Sequence, residues 1–390
     1  MTLPNVKRLG ALSLAAAFVF SACSSSGSAT ASPSGSATLP SSSPSGSTAP
    51  GASPSAAAPA PATGSITLTG AGATFPAPLY QVWFENFHGL YSNVQIDFTA
   101  NGSGAGIKAI TEQTVDFGAT DAAMKDTEIA ALPAGTKIVH VPTALGAVVV
   151  IFNLPGVTDL NLDAANVAGI FLGKIKKWND PAIAANNSGV TLPAMDILVV
   201  HRSDGSGTTN TFTTYLDTVS PDWHTALGKG KEVKWPTGIG AAGNDGVAAG
   251  VKQTAGAVGY VELSYATTAA LPSAKLKNAD GKYVAGSTDG VTAAAEAAID
   301  KVPADLRAAP IINGAGPTTY PIASYTYILL YQDQKDADKG KTLVSFLYWA
   351  LNDGQALETA IGYAPLPKAI QGKALAALHT ITTGGSPIWP

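Results

Sequence analysis

The chain has 390 residues, 23 of them basic and 27 acidic, for a formal net charge of −4. That length leaves room for two or three domains. The acidic balance excludes a nucleic-acid partner, which requires clustered Lys and Arg, and a single cysteine excludes an internal disulfide.

Met1 to Ala22 opens with Lys7 and Arg8, continues with an apolar stretch from Leu9 to Phe20 and closes on Ser21-Ala22. These are signal-peptide proportions, too short to span a bilayer. Cys23 follows directly, and in that place reads as a lipid-attachment site. The surrounding residues resemble the bacterial lipobox, with Phe20 where that motif favours Leu. Ser24 to Gly64 consists of Ser, Ala, Pro, Gly and Thr, with no charge and Leu39 as its one large apolar residue. Such a segment has no side chains with which to build a core. It is expected to be a tether with an end-to-end distance of roughly 35 Å by random-coil scaling. The folded region is expected from Ser65 to Pro390, enough for two compact domains.

Beyond the tether, short β-branched runs alternate with helical spacings. Ile66 to Thr69 is a strand, and Pro76 to His88 a helix with Leu79, Val82, Trp83 and Phe87 on one face. Val94 to Thr99 is a strand, Gly104 to Gln113 a helix and Val115 to Ala119 a strand. Ala147 to Phe152 is apolar throughout, the pattern of a strand buried on both faces. Asp163 to Leu172 is a helix, Ile197 to Val200 a strand, Gly207 to Val219 a helix and Ala257 to Glu262 a strand. Ser324 to Tyr331 is a strand and Lys341 to Leu351 a helix. This alternation predicts an α/β protein with a largely parallel sheet in each domain. In such sheets ligands sit beyond the carboxyl ends of strands, where helices begin.

Three turns fall in that position: Gly70 to Pro76, Asn101 to Gly106 and Asp204 to Thr209, each rich in Gly, Ser and Thr. A helix start exposes unpaired N–H groups and a partial positive charge, glycines allow close approach, and hydroxyls add donors. Each turn alone reads first as a capped helix start, because Ser and Thr are ordinary N-caps. Three together point to an anion site. Arg202, just before the third turn, is the natural bidentate partner of an oxyanion, with Asp204 placed to fix its guanidinium. The plainer reading of that pair is a surface ion pair of little worth. Val115 to Asp121 ends a strand in a carboxylate, which suits an anion site if the anion carries a proton for it to accept.

The segments Gly70-Ala71-Gly72-Ala73-Thr74-Phe75-Pro76-Ala77-Pro78, Val115 to Asp121, Leu172 to Trp178, Asp204-Gly205-Ser206-Gly207-Thr208, Gly243 to Val247 and Gly256 to Glu262 resemble, in order, the phosphate-binding subunit of phosphate ABC importers, the PstS family. The resemblance covers most of Ser65 to Pro367 and is weakest from Ile370 to Pro390. It implies an α/β, two-lobed periplasmic-binding-protein (type II) fold, with two crossover strands and a ligand cleft between the lobes. It further implies inorganic phosphate held by Thr74, the N–H of Phe75, Ser103, Asp121, Arg202, Ser206, the N–H of Gly207 and Thr208, with Asp204 orienting Arg202. The family's serine turn more often reads Gly-Ser-Ser-Gly-Gly; here it is Gly102-Ser103-Gly104-Ala105-Gly106. Residues 65–143 with 320–390 would form lobe one and residues 144–319 lobe two, with crossovers near Pro142 to Gly146 and Pro317 to Ser324. The implied protein is a receptor, not an enzyme, with no cofactor and no metal. It would be anchored to the outer face of the cell membrane through Cys23 and would deliver phosphate to a membrane permease.

Other readings are weaker. A same-fold receptor for another oxyanion, such as phosphonate or molybdate, meets an objection in Asp121, which suits a protonated ligand. A phosphatase using Ser or Thr has neither metal ligands nor a general base in view, and neither Ser103 nor Ser206 lies in a G-x-S-x-G turn. Gly238 to Gly243 matches G-x-G-x-x-G but follows no clear strand. Gly340-Lys341-Thr342 lacks the upstream glycine of a P-loop, and the five histidines show no metal-ligand spacing.

Overall fold

A computed structural model describes residues 58–390. The signal segment, Cys23 and the tether as far as residue 57 lie outside the described residues. The packed chain begins slightly before Ser65. Pro61 and Ala62 are buried, the N–H of Ala62 donates to Thr342 Oγ1 at 3.2 Å, and Asn93 Nδ2 donates to the carbonyls of Ala62 (2.9 Å) and Gly64 (2.7 Å). Side chains of the folded region thus satisfy backbone groups of this segment.

The elements that position the site are strand β1 (Ile66–Gly72), helix α1 (Ala77–Leu90), β2 (Val94–Ala100), α2 (Ser103–Thr111), β3 (Phe117–Thr120) and β4 (Ile138–Phe152). After these come α3 (Ala164–Phe171), β5 (Leu198–Arg202), α4 (Gly207–Val219), β6 (Ile239–Ala241) and α5 (Gly243–Gln253). The last are β7 (Ala257–Glu262), α6 (Leu263–Ala269), β8 (Ile322–Tyr331), α7 (Ala337–Leu351) and α8 (Lys368–Leu378). Among the described residues no helix is long and apolar enough to cross a membrane.

The sheet keeps the expected parallel pairings in each half and joins the halves through antiparallel strands. Its strands form one path, β2-β1-β3-β8-β4-β7-β5-β6, with Ile311–Ile312 added beside β8. Strands β1, β2 and β3 pair in parallel, as do β5, β6 and β7. The central pairings, β3 with β8, β8 with β4 and β4 with β7, are antiparallel. The reason lies in β4, whose 15 residues are long enough to serve both halves. Ile138 to Ala147 pairs with β8, and Val148 to Phe152 pairs with β7. An apolar run such as Ala147 to Phe152 suits this role, because the strand is buried throughout from His140 to Phe152. The change of partner, at Ala147 and Val148, falls just past the expected crossover at Pro142 to Gly146.

Each half of the molecule has its own aromatic centre. Tyr80, Phe84, Phe98, Phe117 and Phe346 pack in edge-on, stacked and tilted contacts in one. Phe171, Phe212, Trp235 and Tyr260 pack in the other. The indole N–H groups of Trp83 and Trp178, both fully buried, donate to the carbonyls of Gly354 and Gly256 at 2.9 Å, so these large apolar bodies enter the core without an orphaned donor.

Helix α2 lies against strand backbone. A Cβ on Gly106 would come within 2.6 Å of Ala119 O, 2.6 Å of Gly72 Cα and 2.7 Å of Ala71 O. All three neighbours are backbone atoms and cannot rotate away. Gly106→Ala is therefore expected to destabilise the chain by about 1–3 kcal/mol, the usual cost of overpacking. A thermal or urea melt checks this, and an unchanged midpoint would show that α2 can shift without cost.

A candidate anion site between the lobes

The three glycine-rich turns converge. Across the cleft, the N–H of Gly104 donates to the carbonyl of Gly205 at 2.7 Å, and the N–H of Gly207 donates to Ser103 Oγ at 3.0 Å. Thr74 of the first turn and Thr208 of the third are linked through Asn244, whose Nδ2 lies 2.9 Å from Thr74 Oγ1 and 3.2 Å from Thr208 Oγ1. Asp121 joins them, its N–H donating to Ser103 Oγ at 3.2 Å. Every residue expected to touch the anion is buried, and Asp204 is half-buried.

The strand–turn–helix order places these groups. Strands β1, β3 and β5 end at the cleft, and helices α2, α4 and α5 begin there, so three helix N-termini, with their partial positive charge, come together. The capping explanation accounts for only one of the three turns. Ser206 is the N-cap of α4 and accepts from the N–H of Thr209 at 3.0 Å. Ser103 is the first helical residue, after Gly102 at φ +99°. Gly102 is required there twice over, by that left-handed backbone and because an added Cβ would lie 2.3 Å from Asp204 Oδ2. Helix α1 starts after Pro76, with no side-chain cap from Thr74.

Arg202 is 4 % exposed, so the surface-pair reading of Arg202 and Asp204 does not hold. Its Nε donates to Asp204 Oδ1 at 2.7 Å, and Nη2 donates to Asp204 Oδ2. Asp204 also accepts from the N–H of Gly243 at 3.1 Å. Burial disfavours charge on Asp204, but the guanidinium outweighs it and holds the carboxyl below the usual range. With one edge of the guanidinium fixed, Arg202 Nη1 remains a buried donor with no protein partner. Such a donor is costly unless something accepts from it. The N–H of Phe75 likewise has no acceptor among the described residues, while the Phe75 carbonyl accepts from Tyr363 Oη at 2.6 Å.

Asp121 sits opposite. Thr326 Oγ1 donates to its Oδ1 at 2.9 Å, and Ser103 Oγ lies 3.4 Å from Oδ2. Burial pushes the carboxyl up to about 7, against the pull of Thr326, the Arg202 charge and Ser103. A second acid, Glu262, is fully buried at the end of β7. Its Oε2 accepts from the N–H of Ser264 at 2.9 Å and from Ser264 Oγ, and Oε1 has no partner. Burial pushes it up to about 8, with Asp121 adding to the rise.

No motif in the sequence marks Asn244, Glu262 or Thr326 as a site residue. Asn244 directly follows the stretch that matches G-x-G-x-x-G. That stretch does carry a strand, β6, too short at three residues to read from periodicity, and its last glycine opens α5. The glycines serve the anion cleft, since the N–H of Gly243 bonds to Asp204. His201 stacks on Trp235 at 4.9 Å between centroids and takes no part in the cluster.

A family model for the PBP superfamily domain matches residues 55–353. A phosphate-binding protein PstS of Pasteurella multocida is 40% identical over 325 residues, which cover 82% of this chain and 93% of that protein. The PstS of Haemophilus influenzae is 40% identical over 301 residues, 77% of this chain and 88% of that one. A solved high affinity periplasmic phosphate-binding protein with bound phosphate shares the fold, with a TM-score of 0.66 at 22% identity over 82% of this chain and 97% of that one. Similarity of this extent, on a two-lobed type II fold with its cleft lined by the matching turns, means that the chain belongs to the PstS family of phosphate-binding proteins in the PBP superfamily.

Proposed function

We propose that this chain is an extracytoplasmic receptor that captures inorganic phosphate in its cleft and delivers it to the membrane permease of an ABC importer. The observation that carries the reading is Arg202, a buried guanidinium with one edge pinned by Asp204 and a second edge donor unmatched, ringed by hydroxyls and helix N-termini. Relatives 40% identical are named phosphate-binding proteins, which supports phosphate as the anion. In this reading Thr74, the N–H of Phe75, Ser103 and Asp121 belong to lobe one, residues 65–143 with 320–390. Arg202, Ser206, the N–H of Gly207 and Thr208 belong to lobe two, residues 144–319. Only the closed cleft brings both sets to the ligand, so binding and closure are coupled and the closed form is what the permease recognises. A lipid on Cys23 and the uncharged tether keep the receptor beside that permease.

Selectivity follows from counting protons. Phosphate carries a proton at neutral pH, and Asp121 accepts it. Sulfate carries none, and faces the carboxylate acceptor to acceptor. A buried site with one partner missing discriminates by about 10⁴ or more. Wild type is expected to bind phosphate with little affinity for sulfate, and Asp121→Asn, which offers an amide donor instead, is expected to relax that preference. Calorimetric titration with both anions measures it, and equal binding of the two by wild type would refute the scheme.

The two buried acids also set a pH dependence of stability. Folding raises Asp121 from 3.8 to about 7 and Glu262 from 4.5 to about 8. The protonated forms fit the interior, so this contribution to stability is full below the ordinary carboxylate range and is lost as pH rises through 7 to 8. The melting temperature of the anion-free chain should fall between pH 5.5 and pH 9, and Asp121→Asn or Glu262→Gln should each flatten that fall. Melts across this range check it; a wild-type profile as flat as the variants' counts against the assignment.

A further inference from the structure

We propose that Asn244 is a positioning residue for the anion: it sets the direction of the Thr74 and Thr208 hydroxyls, so that both present hydrogen rather than lone pairs to the ligand. The inference rests on the receptor reading and adds a residue to its machinery.

Asn244 is fully buried at the start of α5. Its amide orientation is fixed by chemistry. The N–H of Glu262 lies 3.1 Å from one terminal atom of the amide, and a backbone N–H can only donate, so that atom is Oδ1. The other terminal atom is Nδ2, with two hydrogens. One points to Thr74 Oγ1 at 2.9 Å and one to Thr208 Oγ1 at 3.2 Å. The backbone N–H of Asn244 adds a second donor to Thr74 Oγ1 at 3.2 Å.

A threonine hydroxyl has one hydrogen and two lone pairs. Both lone pairs of Thr74 Oγ1 are therefore occupied by Asn244, and its hydrogen is all that remains to offer. Thr208 Oγ1 has one lone pair occupied by a donor, which turns its hydrogen away from the amide. Among the described residues neither hydroxyl donates to a protein acceptor. In the closed cleft two hydroxyls, one from each lobe, are thus fixed as donors by a single side chain. A ligand made only of acceptors on those faces, an oxyanion, needs no reorientation of the site. Thr74 and Thr208 are 134 positions apart in sequence, and a single amide serves both.

The test is the near-isosteric change Asn244→Asp in the full chain, with inorganic phosphate titrated by calorimetry. A carboxylate there accepts where the amide donated, so both hydroxyls turn toward it. At pH 8 the affinity should fall by about 10- to 100-fold for each hydroxyl lost to the anion, the range for hydrogen bonds to charged groups. The ratio of variant to wild-type Kd should shrink as pH falls and the new carboxyl takes up a proton, becoming a donor again. Packing loss alone would leave that ratio independent of pH. In case Asn244→Asp does not fold, Asn244→Ala made alone and on a Thr208→Val background provides a second reading. The loss should be smaller once the Thr208 hydroxyl is gone, and equal losses in the two backgrounds overturn the inference. Wild type that binds no phosphate overturns the receptor reading and this inference with it. Wild type that binds while Asn244→Asp binds equally well overturns this inference alone.

Discussion

The constraint on which the rest of this structure depends is the burial of a guanidinium and two carboxyl groups in one interior. Arg202, Asp121 and Glu262 are all buried, and isolated charges there would cost far more than a fold can supply. The chain meets the constraint differently for each. Arg202 is matched along one edge by Asp204, which is itself held by the N–H of Gly243. Asp121 and Glu262 are pushed toward the protonated form, with hydroxyl donors from Thr326, Ser103 and Ser264 limiting the cost. The cation is kept charged, while burial works against charge on the two acids.

The architecture makes that arrangement affordable in space as well as energy. One long strand, β4, pairs with β8 along its first part and with β7 along its last. Two halves with separate aromatic centres therefore share a continuous hydrogen-bonded spine, and the turns at the ends of their parallel strands meet. Glycine at positions 102 and 207 lets those turns touch: a Cβ on Gly207 would lie 2.6 Å from both Asp121 Oδ2 and Ser103 Oγ. Backbone N–H groups and hydroxyls thus gather around Arg202 where the turns meet.

Local chemistry was legible in the sequence where it is local in cause. The helix Gly207–Val219 and the strand Ala257–Glu262 have the bounds their periodicity predicts. The buried run Ala147 to Phe152 is part of β4, and Trp83, Phe84 and Phe87 are core. Helix α8 and the strand β6 went unread, the first because Lys368 to Leu378 has a weak apolar stripe, the second because three residues carry no period. The expected parallel pairings are present in each half, but the antiparallel join was not legible, since nothing local to β4 says that its two ends take different partners.

By itself the sequence determined the alternation of strands and helices, the glycine-rich turns at helix starts, and the residue types that suit an oxyanion, because backbone freedom, capping and donor chemistry are properties of a few neighbouring residues. Only the tertiary structure decided that the Arg202–Asp204 pair is buried, that one of three turns is an ordinary cap, and that Asn244, Thr326 and Glu262 stand among the site's polar groups. Asn244 reaches Thr74 across 170 positions and Thr326 reaches Asp121 across 205, and whether a donor finds an acceptor or is left without one depends on how the whole chain packs.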